Sequence, residues 1–320
     1  MKQDLEQLFL HIITKGKKDN TYKFALGKFL LEIAFNCTII KEIKISYDDI
    51  AEAFLKYYWF QECKYKIKQD FKQNSQPQVI SIIQNYCGTE YIADSFDMYF
   101  QKHDFKNNII QEIKQKCLYD VIPRFQPDES NLFYKHHHEK SLKKYKIPKQ
   151  EKRYIILNEK AVAYFKTNYE LFHKALILEW AKFLEKTNFT PKLIAKIENL
   201  GKTKRSSLLK YKKILLSIDK SNKCFYCGSN LDNNIHVDHF IPWSYVYDDE
   251  IWNLVLSCSS CNLKKSDYLP SKDCLEKIKL RNFKYNFLQV NKDIDEYYHN
   301  CKKSGFLEYS NNCKPIITVV

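Results

Sequence analysis

No uninterrupted apolar run in the 320 residues approaches the roughly 18 needed to span a bilayer. Stretches such as Phe29-Leu30-Leu31 and Ala175-Leu176-Ile177-Leu178 are soon broken by Glu or Lys. The first residues, Met1-Lys2-Gln3-Asp4, lack the charged-then-apolar layout of a secretory signal. There is no internal repeat of fixed period. A disulfide frame is also missing: the 11 cysteines are odd in number and scattered, which suits a reducing compartment. Together these absences predict a soluble, cytoplasmic chain without a membrane partner. Disorder is excluded as well, because 44% hydrophobic residues with 15% aromatics can bury a real core. Acid is scarce relative to base: 52 Lys and Arg stand against 38 Asp and Glu, a net charge of +14. A polyanion is then the first partner to consider. The same wealth of Lys, Asn, Ile, Tyr and Phe is what an AT-rich genome encodes, so charge alone leaves the partner open.

Residues 1–201 read as a mainly helical N-terminal domain. Leu5, Leu8, Phe9, Ile12 and Ile13 share one helical face ahead of Gly16. Tyr22, Ala25, Phe29 and Ile33 form a second stripe. Ser46 with Asp49 caps a third helix through Ile50, Phe54 and Tyr57. Pro77 and Gly88 bracket a fourth, and Ile109, Ile113 and Cys117 mark another. Short β pieces are expected at Tyr119–Ile122, broken by Pro123, and at Tyr154–Leu157. Residues 128–150 read as a basic connection. Its run His136-His137-His138-Glu139 is taken as exposed loop rather than metal site, because adjacent residues cannot all face one ion. One long helix is expected to carry Ala161, Phe165, Phe172, Leu176, Trp180 and Phe183 as a core stripe, and Thr190-Pro191 restarts a shorter helix ending at Gly201.

Residues 202–223 form a basic helical linker, with eight basic residues and the single acid Asp219. Ser206 is placed to cap a helix that buries Leu208, Leu215 and Ile218. Lys204, Arg205, Lys210 and Lys213, with Lys264 further on, are candidate contacts to a DNA backbone; the bland reading is a solvated face.

Residues 224–270 carry the chemistry. Two Cys-x-x-Cys pairs, Cys224/Cys227 and Cys258/Cys261, offer four thiolates for a structural zinc ion. The 30 residues between the pairs exceed a simple ribbon spacing, so something folded occupies the gap. Ile235–Phe240 reads as a strand, Trp252–Leu256 as a strand-like return, and Ser257 as the cap of a helix through Cys261, Asn262 and Lys265. His236 faces away from His239 by strand alternation and is read as a local hydrogen-bonding residue. Trp243 and Tyr245 are read as packing, and Cys37, Cys63, Cys87, Cys117, Cys274, Cys301 and Cys313 as reduced thiols.

This stretch resembles the HNH (ββα-metal) nuclease family in its zinc-bearing form: Asp238-His239 followed by Ile241-Pro242, then Asn253-Leu254, then Cys258-x-x-Cys261-Asn262-x-x-Lys265. The closing Lys265-Ser266-Asp267 is similar to the HNH domain of RNA-guided nucleases. The third motif letter is Asn262 in place of His, an HNN variant. The resemblance implies a metal-dependent DNA endonuclease. In it His239 is the general base, and Asp238 and Asn262 hold one Mg²⁺ or Mn²⁺. Asn253 orients the finger and base, and Lys265 neutralises phosphate charge. The expected fold is mainly α with a small α+β part: the helical domain, the linker, a zinc-stapled finger, and a tail of residues 271–320 packing on the nuclease domain. The expected partner is double-stranded DNA, with a partner protein or a homodimer as a further candidate. The architecture suits bacterial restriction or antiphage defence, or a mobile-element nuclease. The competing reading is a non-catalytic zinc module that binds nucleic acid or a partner.

Overall fold

A computed structural model describes residues 5–69, 76–126, 131–136, 153–199, 207–231, 234–287 and 293–309. In chain order these form α1 (Leu5–Thr14), α2 (Tyr22–Asn36), β1 (Ile43–Ser46), α3 (Tyr47–Trp59), α4 (Gln78–Cys87), α5 (Phe96–Lys102), α6 (Lys106–Lys116), α7 (Leu118–Phe125), β2 (Tyr134–His136), β3 (Tyr154–Leu157), α8 (Glu159–Thr167), α9 (Tyr169–Glu185) and α10 (Leu193–Asn199). They continue with α11 (Leu209–Ile218), β4 (His236–His239), α12 (Trp243–Val246), β5 (Leu254–Ser257), α13 (Ser259–Lys265), α14 (Lys272–Lys284) and α15 (Ile294–Lys303). The chain is mostly helical and divides into two compact units: residues 1–188 with 193–201, and residues 189–192 with 202–320. No helix among the described residues is long and apolar enough to cross a membrane.

The first unit is built around α2, which is buried on nearly every side from Tyr22 to Leu31. A helix buried on nearly all sides belongs in the centre of a bundle, and α3, α7, α8 and α9 surround this one, whose buried Lys28 pairs with Glu32. Gly27 permits the close approach of α9, since a Cβ there would lie 2.8 Å from Leu176 Cδ1. Trp180 stacks on Phe24 with ring centroids 6.0 Å apart, and both are buried. The helix caps follow the sequence: Ser46 Oγ accepts from Asp49 N while the Asp49 carboxylate accepts from Ser46 N. Pro77 and Gly88 bracket α4, with Gly88 in the left-handed region at φ 74°. Strands β1, β3 and β2 make an antiparallel sheet in that order.

Three expectations for this unit change. Residues 119–122 are helical, because Leu118, Val121, Ile122 and Phe125 bury one 3.6-residue face, and this periodicity prevails over their β propensity despite Pro123 within the helix. The single long helix is two, broken at Asn168, whose side-chain amide donates to the Tyr164 carbonyl and so satisfies the end of α8. Phe183 is only partly buried, unlike Trp180 on the same helix. His136 ends β2; the remainder of the histidine run, with Gly201 and Cys313, lies outside the described residues.

The second unit has its own core, in which Phe240, Ile241, Trp252, Leu254 and Val255 pack with Cys274, Ile278, Tyr298 and Cys301. Helices α14 and α15 therefore share one core with β4 and β5. Those strands pair antiparallel, Asp238 opposite Val255 and His239 opposite Leu254, and α13 lies against β4. The strands are shorter than the sequence suggests: residues 251–253 form a 3₁₀ turn before β5. In α11, Leu215 is buried, while Lys210 and Lys213 are exposed; Leu208, just before the helix, and Ile218 at its end are half-buried.

Candidate active site: a four-cysteine cluster beside Asp, His and Asn side chains

The four cysteines come from two short turns that the sequence prepares separately. After Cys224 the chain turns through Gly228, whose φ of 73° suits glycine; its N–H donates to the Cys224 carbonyl at 2.9 Å. The second pair opens α13. Here Cys258 is the N-cap, and its sulfur accepts from Cys261 N at 3.5 Å. The expected cap, Ser257, is instead the last residue of β5, its hydroxyl buried without a hydrogen bond among the described residues. The backbone Cys258 N–H also donates to Cys224 Sγ at 3.4 Å. All four sulfurs lie within 4.8 Å of one another, and Cys227 and Cys258 are 3.9 Å apart. A tetrahedron with Zn–S bonds of about 2.3 Å has edges of about 3.8 Å, so the sulfur set fits a zinc ion closed to water. Burial raises the Cys224 and Cys261 thiols. At Cys227 burial also pushes upward, but hydrogen bonds from Ser229, Cys224 and Cys261 outweigh it and bring the thiol down to about 6.

From this clamp the strands deliver Asp238 and His239, both buried. Asp238 Oδ2 accepts from the Tyr226 hydroxyl at 2.6 Å and lies 3.1 Å from Lys265 Nζ. Two donors thus fix one oxygen of this carboxylate, Oδ2. His239 Nε2 is 2.9 Å from Asp249 Oδ1. Asn253 is fully buried and hydrogen-bonds both backbone groups of Ile241: its Oδ1 accepts from the N–H at 2.7 Å and its Nδ2 donates to the carbonyl at 2.8 Å. With Phe240 N donating to the Asn253 carbonyl, this ties off the loop between the strands directly after His239.

Lys265 does not face outward. Only 1% exposed, it donates to the His239 carbonyl at 2.7 Å and pairs with Asp238, so its ammonium is held inside the site. Asn262 is half-buried on α13, and its side-chain amide makes no hydrogen bond among the described residues. Lys210, Lys213 and Lys264 are exposed; Lys204, Arg205 and Ser206 fall outside the described residues. Tyr245 is buried as packing, its hydroxyl donating to the Phe189 carbonyl, while the half-buried Trp243 ring lies 4.6 Å from that of Tyr247. Among the described residues His236 does not form the expected local hydrogen bond through Nε2, which is buried in β4 where His236 pairs with Ser257.

Several contributors escape sequence reasoning. Asp249 sits in a polar Asp-Asp-Glu run with nothing to distinguish it from a surface loop. Tyr226, inside the first Cys pair, reads as an ordinary aromatic. Arg281 and Asn282 come from the tail: Arg281 donates to the carbonyls of Ile251, Trp252 and Leu254, and Asn282 to that of Trp252. Burial lowers the Arg281 pKa to about 10. Ser244 and Asp267, joined by a hydrogen bond, couple α12 to the residues just after α13.

Residues 224–271 match the family model described as HNH endonuclease. Two curated relatives are CRISPR-associated endonuclease Cas9 proteins. The one from Streptococcus mutans is 35% identical over 78 residues, and the one from Listeria innocua is 33% identical over 76. These matches cover 23% and 22% of this chain and 6% of each relative. No solved structure matches significantly. The segment 224–271, which holds the four cysteines together with Asp238, His239, Asn253, Asn262 and Lys265, is an HNH endonuclease segment.

Proposed function

We propose that this protein is a metal-dependent DNA endonuclease in which His239 is the general base. The observation that carries the reading is the pairing of His239 Nε2 with Asp249 at 2.9 Å. Donation from Nε2–H to the carboxylate leaves the Nδ1 lone pair to accept a proton from water, and the carboxylate stabilises the imidazolium that forms. Asp238 and Asn262 supply hard oxygen donors suited to Mg²⁺ or Mn²⁺. Such a cation, when bound, polarises the scissile phosphate and relieves charge on the departing 3′-oxygen. The buried Lys265 acts by position: its ammonium fixes Asp238 Oδ2 and the His239 carbonyl together, replacing the phosphate-neutralising role expected from sequence. Asn253 sets the backbone course after His239, and zinc on the four sulfurs would hold strand and helix together at the edge of the core shared with α14 and α15.

DNA as substrate is supported by the HNH segment, by its likeness to the Cas9 endonucleases and by the net charge of +14. The exposed Lys210, Lys213 and Lys264 are the described backbone contacts we infer, with Lys204 and Arg205 beside them in sequence. We assign the first unit to target selection or partner sensing in bacterial restriction or antiphage defence, on architecture alone. The test is plasmid incubated with Mg²⁺ or Mn²⁺. Wild type should produce 5′-phosphate and 3′-hydroxyl ends while His239→Ala leaves the plasmid intact; equal cutting by both rejects the mechanism. Discrete fragments from naked DNA would mark a self-sufficient restriction enzyme.

A further inference from the structure

The second unit holds a cavity of about 350 Å³ between α11, β5 and α14. This is the size range of small-ligand sites, and none of Asp238, His239, Asn253 or Asn262 lines it. Leu215, Val255, Leu256 and Leu280 give it apolar walls, and Phe225 and Tyr285 contribute aromatic rings. Its charged members are Lys223, Lys277, Arg281 and Lys284 against one carboxylate, Asp219. Asp219 lies near enough to favour the Arg281 charge, but among the described residues Arg281 makes no direct ion pair. Its hydrogen bonds go to the carbonyls of Ile251, Trp252 and Leu254 and to the Asn282 amide oxygen, all neutral acceptors. Two of the ammonium groups rest over the two rings: Lys277 lies 4.4 Å from the Phe225 centroid and Lys284 5.4 Å from that of Tyr285. Lys277 also donates to the Phe225 carbonyl.

Apolar and aromatic walls demand a flat or apolar ligand body; cations in excess of carboxylates demand an anionic end. We propose that this cavity binds a nucleotide unit, its base against the Leu280, Phe225 and Tyr285 side and its phosphate near Lys223 and Lys284. Aromatic surface beside a cationic track is how sequence-tolerant nucleic-acid sites hold a base and its backbone. The unit can come from a soluble nucleotide or from an unstacked nucleotide in a strand. The inference goes beyond the nuclease reading and does not rest on it, since binding is read without cleavage.

The experiment measures anisotropy of a labelled short oligothymidylate on the full, zinc-loaded chain carrying His239→Ala. Adenosine monophosphate serves as competitor. Leu280 is 71% exposed and Lys284 is exposed, so Leu280→Glu with Lys284→Glu changes the cavity without disturbing the core. Lys223→Ala, from a different segment, serves as a second variant, and zinc content and far-ultraviolet circular dichroism verify folding of each. Both variants should weaken oligonucleotide binding about tenfold or more. Lys223→Ala should also reduce the slope of log affinity against log salt by about 0.7. Competition by the mononucleotide identifies the soluble source; a variant effect on the strand without such competition identifies the strand. Unchanged affinity of both variants for both probes overturns the proposal.

Discussion

The two units solve the same stability problem by different means. The first surrounds α2 with apolar side chains: Phe24, Phe54, Trp59 and Trp180 are buried in it. The second also has apolar packing, but the segment that carries the chemistry is held by polar devices. These are four sulfurs at one end, the Asn253 amide across the Ile241 peptide groups, and the Arg281 guanidinium on three carbonyls of the return. The contrast has a physical reason. On the proposed reading, a site that presents Asp238 and His239 to a charged substrate is better fixed by groups that satisfy backbone hydrogen bonds directly than by added hydrophobic side chains.

The largest expected effect separates the units by metal. Zinc binding to small thiolate sites contributes on the order of 10 kcal/mol, comparable to the whole stability of a domain. Cys258→Ser, or removal of zinc by a chelator, should therefore unfold the second unit while the first keeps its helical signal and resists limited proteolysis. Loss of both units together would show that the division is not a thermodynamic one. The converse experiment is Trp180→Ala, which should cost the first unit about 3–5 kcal/mol and leave the zinc content unchanged by elemental analysis.

A smaller effect sharpens the comparison inside the second unit. Asn253→Ala strips the buried Ile241 N–H and carbonyl of their partners, at about 1–3 kcal/mol for each group. Chemical denaturation should register that loss, and cleavage should fall further than the stability alone explains because the strand-to-loop course after His239 is released. Ser46→Ala is the matched single-device change in the first unit. Removing that capping box should cost about 1 kcal/mol, read as a lower melting temperature. Smallest of all is an acid effect on the second unit. The Lys302 ammonium beside Glu308 holds its carboxyl below the usual glutamate range. A folded value depressed in this way stabilises above the unfolded value and is lost as pH falls through the folded one. Glu308→Gln should therefore weaken the acid dependence of unfolding at low pH and leave neutral-pH activity unaltered.

The same contrast explains what is legible in the sequence. Apolar stripes and caps announce helices locally, so α1 to α4 and α6 stand out from Leu5, Ile12, Phe29, Ser46, Pro77 and Ile109 without tertiary information. The short segment at Tyr119 misleads because a few residues rich in β formers cannot reveal a period that only Leu118 and Phe125 complete. The Asn168 break is invisible because the stripe continues across it. In the second unit, the Cys pairs, Asp238-His239, Asn253 and Asn262 stand out because the HNH family pattern ties them to fixed spacing. Asp249, Tyr226 and Arg281 are not, because each acts on a residue or peptide group that the chain brings near only when folded. The sense of the Lys265 side chain is equally hidden: one turn beyond Asn262, either outward or inward would satisfy helical spacing, and burial against Asp238 decides it.

In the proposed mechanism one metal holds the site while a second supports His239 in cutting DNA, and a single titration separates the two. Zinc content and plasmid cleavage would be measured on the same preparation as Mg²⁺ is added, for wild type and for His239→Ala. The account predicts one zinc per chain in both proteins throughout, cleavage by wild type only after Mg²⁺ arrives, and a rate lower by about 100-fold or more in the variant. Cleavage that tracks zinc alone, or that survives His239→Ala at the wild-type rate, would contradict it.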